Sequence, residues 1–261
     1  MITVVCGISN QKVFDHCLGN SLEKQDIAYK FIAEDVKLKP AKAHNSVLSQ
    51  IDTKYIAFIH QDVIMMEKSW LRRAEQFCDK LPKLGMAGVS GISWNGMLTG
   101  YIMLHMAPRE GPKRQVVKYY GQPYHAHLHG KPFKNPQLSM TLDGVVQIIP
   151  LEIFKKVRYD ENIIQELSVD YCLQCQYNHG LKIYALPLRT WHNVGRGGGR
   201  GWTWNPNEPK HGYVTPFGAG HMSGANKYLS KKWRGKFTTV YSTACLHVHF
   251  GKVSGRARMI K

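Results

Sequence analysis

The sequence predicts an α/β fold with a mostly parallel central sheet flanked by helices. A small antiparallel subdomain and a basic C-terminal extension complete it. Three observations lead there. Short β-branched apolar runs alternate with segments of helical periodicity over residues 1–92. Short strand-like runs separated by Gly and Pro follow, with no internal repeat. The last 53 residues lack any acidic side chain, because Glu208 is the final carboxylate.

Ile2–Cys6 is a β-branched run suited to a strand buried on both faces. Gly7-Ile8-Ser9-Asn10 breaks it, and Ser9 or Asn10 is placed to cap a helix running to about Ser21. Ala28–Ala33 reads as a second strand, Ala41–Gln50 as a helix and Tyr55–His60 as a third strand. Over Glu67–Lys80 the apolar spacing of Trp70, Leu71, Ala74, Phe77 and Leu81 is helical. Met86–Ile92 is expected as one strand, and Gly100–Met106 with Gln115–Gly121 as a pair around the turn Pro108–Pro112. Val145–Ile149 reads as a strand and Leu151–Lys156 as a short helix. Val169–His179 is a helix stopped by Gly180, and Leu181–Leu186 is the last core strand. In folds of this kind, ligands bind beyond the carboxyl ends of the strands, so the residues just after each strand are the candidates for chemistry.

Composition narrows the function classes. The 261 residues are 43% hydrophobic and 11% aromatic, enough for a core and against wholesale disorder. The formal net charge of +17 divides into +7 over residues 1–208 and +10 over residues 209–261. A field of that size implies an anionic partner. The N-terminus has no basic region ahead of its short apolar run, unlike a signal peptide, and no stretch reaches the ~18 apolar residues of a spanning helix. Six irregularly spaced cysteines suit reduced, buried thiols. The expectation is a soluble cytoplasmic protein, with peripheral membrane contact left open.

Three places combine a carboxylate with a strand end or helix start: His60-Gln61-Asp62, Leu142-Asp143-Gly144, and Ser168-Val169-Asp170. His192 follows the last core strand. A carboxylate at a strand end is costly to desolvate alone, so it caps a loop or holds a cation.

Together with Val4–Ile8, Lys42-Ala43-His44-Asn45, Tyr55–Val63, Leu142–Ile149, Val169–Leu173 and Gly180–Leu186, these residues resemble the GT-A glycosyltransferases, nearest the family 2-like branch. The resemblance covers roughly residues 1–195. It implies a Rossmann-like catalytic domain over 1–195, a nucleotide-sugar donor with a UDP-sugar as best guess, and a basic extension over 196–261 packed on the same domain. By that resemblance Cys6, Gly7 and Ile8 line the nucleotide site, with Asn45 beside it and Gln61 counted with the donor site. Asp62 matches the last carboxylate of the family's Asp-x-Asp metal motif, whose first carboxylate is replaced here by His60. Asp62 and His192 with two diphosphate oxygens would suit Mn²⁺ or Mg²⁺, which would stabilise the leaving nucleoside diphosphate. Asp170 matches the general base of inverting members, Asp143 would bind acceptor or donor hydroxyls, and Arg196 and Arg200 would clamp the diphosphate.

Plainer readings stand beside each of these. Asp62 fits a turn cap, Asp170 a helix-terminus carboxylate, His192 a satisfied surface histidine, and Gly195–Gly201 a flexible connector. Cys172 and Cys175 could join Cys245, His247 and His249 in a structural zinc site, and His125, His127 and His129 share one face if extended. The tail interleaves basic and aromatic residues, among them Arg200, Trp202, Trp204, Lys232, Trp233 and Phe237. DNA carrying hydroxymethylated bases is the slightly favoured acceptor, because the chain has no amphipathic anchor helix. A cell-surface or lipid-linked glycan is the alternative. An inactive nucleic-acid-binding protein on the same fold, and a nucleotide-sugar hydrolase or nucleotidyltransferase, are the rivals from other classes.

Overall fold

A computed structural model describes residues 1–100, 102–105, 115–119, 122–129, 133–163, 166–192, 228–229, 231–237 and 240–241. Its centre is a seven-stranded sheet built from β1 (Ile2–Gly7), β2 (Lys30–Glu34), β3 (Tyr55–Ile59), β5 (Leu84–Gly88), β11 (Gln137–Ser139), β13 (Val146–Pro150) and β14 (Lys182–Ala185). The spatial order is β11-β14-β5-β13-β3-β1-β2. Five strands point one way, while β13 and β11 run against their neighbours.

Alternation along these strands explains their unbroken apolar sequences. Ile2, Val4 and Cys6 of β1 and Tyr55, Ala57 and Ile59 of β3 enter one core. Val5, Ile56 and Phe58 enter the core on the opposite face. The helices begin with α1 (Gln11–Phe14) and α2 (Asn20–Leu22). Helix α4 (Trp70–Lys80) covers the first core with Trp70, Leu71, Ala74 and Cys78, and Phe77 and Leu81 pack against it partly buried. The Trp70 indole is fully buried and donates to Thr190 Oγ1 at 3.0 Å. The second core is covered by α3 (Pro40–Ser46), α5 (Leu151–Lys156) and α6 (Leu167–His179). Gly180 ends α6 with φ +61°, and Leu181 N–H closes back on the Cys175 carbonyl at 3.0 Å.

The structure departs from the expected elements in several places. The expected strand Met86–Ile92 divides at Val89 into β5 and β6 (Ser90–Ile92), and β6 joins a separate small sheet with β7 (Leu98–Gly100) and β12 (Thr141–Leu142). Strand β13 runs antiparallel to both of its neighbours, β3 and β5, inside the otherwise mostly parallel sheet. Among the described residues, Gly100–Met106 and Gln115–Gly121 do not pair with each other. Strands β8 (Ile102–His105) and β9 (Gln115–Tyr119) flank β10 (Gln122–His129) on either side, and the pairing of Tyr119 with Gln122 makes β9–β10 the hairpin. The turn Pro108–Pro112 lies outside the described residues.

Short strands β4 (Val63–Met65) and β15 (Thr190–His192) were not anticipated. They join β8, β10 and β9 in a second sheet ordered β4-β15-β8-β10-β9. Of the C-terminal extension, Leu229, Trp233, Val240 and Tyr241 pack with Ile92, Met140, Ile163, Val169 and Leu173 in a third apolar cluster. These four residues of the extension therefore pack against side chains from β6 and from residues 140–173. Residues 193–227, including Arg196 and Arg200, and residues 242–261, including Cys245, His247 and His249, lie outside the described residues.

Candidate active site

The site lies where β3 ends. His60-Gln61-Asp62 turns the chain from β3 into β4, with His60 N–H donating to the Val145 carbonyl at 3.1 Å and Val63 N–H to the His60 carbonyl at 3.2 Å. Strand β15 runs antiparallel to β4 with His192 opposite Val63. That register brings a residue from the far end of the core to the strand-end carboxylate: His192 Nε2 lies 3.3 Å from Asp62 Oδ1. The His60 and His192 rings meet edge to face at 5.7 Å. Two imidazole nitrogens and one carboxylate oxygen thus lie within 4.8 Å of one another. His60 is exposed, while the Asp62 and His192 side chains are 25% and 12% exposed, so the cluster opens on the His60 side.

Electrostatics separates the two histidines. The protein crowded against the inner side of the His60 ring strips it of water there and holds it below the ordinary histidine range, opposed by Asp62 and Asp143 and assisted by His192. Burial also works against a charged His192, but Asp62, by charge and by hydrogen bond, and then Asp143 raise it. For Asp62 burial favours the protonated acid, and His192 and His60 together hold it as a carboxylate below its ordinary value. A cation replacing the His192 proton would meet the same carboxylate. The donor set fits a divalent ion: in a site with metal–ligand distances of about 2.0–2.2 Å, neighbouring donors lie about 3 Å apart, close to the observed 3.3 Å edge.

The other candidate residues divide between those facing this cluster and those spent on the fold. Gln61 is 6% exposed. Its Oε1 accepts from Ser9 N–H and Asn10 N–H, both at 3.0 Å, and its Nε2 donates to Ser9 Oγ at 2.9 Å. It holds the loop after β1. Asn10 caps the next helix by accepting from Val13 N–H. Cys6 is 1% exposed and its thiol is pushed far above the ordinary value, first by burial and then by the Glu34 and Asp62 charges. A side chain on Gly7 would come 3.5 Å from Glu34 Oε2, and Ile8 packs partly buried against the first core. Glu34 is paired with His44, whose ring lies 4.4 Å from Phe58 and 5.0 Å from Tyr159.

Asn45 uses its side chain within the fold. Its Nδ2 donates to the Tyr159 carbonyl and Glu161, and its Oδ1 accepts from Tyr159 N–H, an arrangement that ties α3 to the chain after α5. Asp143 Oδ1 accepts from Val145 N–H at 3.1 Å, and its charge acts on both histidines.

Asp170, in the first turn of α6, is 1% exposed. It accepts from Gln174 Nε2 (2.7 Å), Trp233 Nε1 (2.8 Å) and Lys232 Nζ (2.9 Å). Burial raises its carboxyl above the usual range against the pull of those donors. Lys232 also bonds Asp160 at 2.7 Å, which accepts from Tyr228 as well. Sequence reading found neither Asp160 nor the pairing of Lys232 with Asp170, because the partners lie 62 and 72 residues apart. It also missed His60 as a donor, although His60 stood in the motif. Cys172 and Cys175 are buried in the second core.

The sequence model of a glycosyltransferase-like family matches residues 3–183. Among solved structures, residues 1–349 of TarS from S. aureus in complex with UDP-GlcNAc are 14% identical at a TM-score of 0.46, covering 75% of this chain and 59% of that one. The mannosyltransferase PcManGT from Pyrobaculum calidifontis, in complex with GDP-Man and Mn²⁺, is 9% identical at a TM-score of 0.50, covering 75% and 57%. GalNAc-T7 with UDP, GalNAc and Mn²⁺ is 10% identical at 0.49, covering 74% and 43%. The chain spans about three fifths of the length of the first two and less than half of the third. No curated protein matches. At such identities the likeness is one of fold, whereas the family match extends over well more than half of the chain. The protein belongs to the glycosyltransferase-like family and has the GT-A fold of its family 2-like branch.

Proposed function

We propose that this protein transfers a sugar from a nucleotide-diphosphate donor, a UDP-sugar as first choice, to a hydroxyl of an anionic acceptor. The observation that carries this reading is the convergence of His60, Asp62 and His192 at the carboxyl end of β3, beside the loop that follows β1. A Mn²⁺ or Mg²⁺ ion there would neutralise charge on the departing nucleoside diphosphate. Cys6, Gly7 and Ile8 form the floor for the nucleotide, and Gln61 fixes that floor by holding Ser9 and Asn10. Asn45 stands beside the nucleotide site and ties α3 to Tyr159, and Arg196 and Arg200 supply the diphosphate clamp. Asp170 is the proposed base of an inverting transfer. It serves when Lys232 and Trp233 withdraw, since their bonds keep an acceptor hydroxyl from its carboxylate. Asp143 binds sugar hydroxyls from the rim.

For the acceptor, the +10 carried by residues 209–261 supports a polyanion, with hydroxymethyl-base DNA tested first. The second reading, a cell-surface or lipid-linked glycan, rests on Trp94, Tyr177 and Phe237. Trp94 and Tyr177 are 38% and 52% exposed, and both rings lie within 6.4 Å of Phe237. Aromatic faces of this kind also suit sugar rings.

The test is a thermal-shift screen of nucleotide sugars with and without Mn²⁺. A Mn²⁺-dependent donor shift abolished by Asp62→Ala supports the reading. No shift with any donor supports the inactive nucleic-acid-binding protein instead.

A further inference from the structure

Resting on the nucleic-acid reading of the acceptor, we infer that Trp94, Tyr177 and Phe237 form a stacking platform for the bases of an unpaired strand, with Arg234 and Lys236 meeting its phosphates. Three separate elements bring the rings together. Trp94 stands in the turn between β6 and β7, where Ser93 N–H donates to the Met97 carbonyl and Gly96 N–H to the Ser93 carbonyl, both at 3.0 Å. Gly96 takes φ +77° there and lies against the extension, since a side chain on it would meet the Tyr241 ring at 2.9 Å. Tyr177 comes from the last turn of α6 and Phe237 from the extension. Their ring centroids lie 5.8 Å apart, and the Trp94 ring lies 6.4 Å from Phe237. Trp94 and Tyr177 nevertheless remain 38% and 52% exposed. Rings converging from three elements and left half in water make a surface patch that a ligand would cover.

The charge beside the rings selects that ligand. Residues 231–237 read Lys-Lys-Trp-Arg-Gly-Lys-Phe, with no carboxylate. Lys232 is engaged by Asp160 and Asp170. Arg234 and Lys236 are exposed, and Lys236 Nζ lies 5.0 Å from the ring centroids of both Tyr177 and Trp233. Aromatic faces interleaved with cations are complementary to a chain whose flat rings alternate with phosphates. A duplex keeps its base faces covered by stacking, so such a platform favours an unpaired strand. Its position suits the proposed reaction. Tyr177 follows Asp170 on one face of α6 by two turns, about 10 Å. Trp233 spans that gap, donating to Asp170 while its ring meets Tyr177 edge to face at 6.0 Å.

Fluorescence anisotropy of the full chain tests this with four probes of matched length: labelled oligothymidylate, an abasic deoxyribose-phosphate strand, a DNA duplex and polygalacturonate as an anionic glycan. Oligothymidylate should bind at least fivefold more tightly than each of the others. Trp94→Ala and Tyr177→Ala should each weaken oligothymidylate at least fivefold and the abasic strand less than twofold, with the wild-type melting profile kept. Trp94→Phe should retain most of the affinity. Lys236→Ala should weaken both strands and lower the slope of log affinity against log salt by about 0.7. Equal binding of the abasic strand or the duplex, or unchanged affinity in both alanine ring variants, overturns the inference. Tighter binding of polygalacturonate, lost in the same variants, also overturns it and assigns the platform to a glycan. If sugar transfer survives such a result, the transferase reading stands and only the platform falls. Strand binding as expected, with no thermal shift from any donor, keeps the platform and removes the transferase reading.

Discussion

Gln61→Ala removes a side chain that stands between two candidate metal ligands and bonds neither. The structure assigns it three hydrogen bonds, two of them to backbone N–H groups of the loop after β1. A net contribution near 1 kcal/mol per bond gives up to about 3 kcal/mol. Ser9 is exposed and water can replace part of what it loses, so we expect about 1–2 kcal/mol. In a chain of this size that corresponds to a fall of about 2–8 °C in melting temperature. The same change frees the loop we propose as the nucleotide floor, so donor affinity should fall at least threefold while metal affinity without nucleotide stays within twofold. Urea denaturation measures the first quantity and donor titration the second. A double-mutant cycle with Ser9→Ala isolates the Ser9 share. Unchanged stability and unchanged donor affinity in Gln61→Ala would refute the reasoning that this amide organises the site.

Other expectations follow from the same geometry. Trp233→Ala opens a cavity at a side chain 1% exposed and deprives Asp170 of one donor, so urea denaturation should show a loss of about 3–5 kcal/mol. Gly91→Ala sets a methyl 2.6 Å from Ser139 Oγ and 2.8 Å from the Thr141 carbonyl, and should cost about 1–3 kcal/mol in a thermal melt. Asp160 is held at about 2: burial raises it, but Lys232, the Asn162 backbone and Tyr228 outweigh burial. Because the folded value lies below the unfolded value of about 3.9, this stabilisation is complete above that pH and is lost as pH falls toward about 2. The stability gap between wild type and Asp160→Asn should therefore be constant above pH 5 and close below about pH 4.

Much of the sheet was legible because its strands obey period 2 on both faces: Ile2, Val4 and Cys6 face one core while Val5 faces the other, so the run reads as continuous apolar sequence. What the sequence did not disclose is pairing between distant segments. His192 is placed after the last core strand by its position. Its approach to Asp62 depends on β15 lying beside β4, two three-residue strands too short to announce themselves. Polar residues were harder still. Asn45 and Gln61 stand at positions where ligand contact is a natural reading, yet their amides are occupied by backbone groups 114 and about 50 residues away. Asp170 shows the same limit, since its Lys232 and Trp233 partners come from the extension whose charge suggested only an anionic acceptor. His60 is the converse case. As a residue type it looked like a missing carboxylate, and the fold brings its imidazole within 4.8 Å of the Asp62 and His192 donor atoms.

The central claim is transfer of a sugar through the cluster at the end of β3. The most direct measurement is product analysis with a donor identified by thermal shift, Mn²⁺, and hydroxymethyl-base DNA or a glycan acceptor. The account predicts nucleoside diphosphate released in equal amount to sugar attached to acceptor, with at least a hundredfold loss in Asp62→Ala. Nucleoside diphosphate matched by free sugar alone, or turnover unaffected by Asp62→Ala, would contradict it.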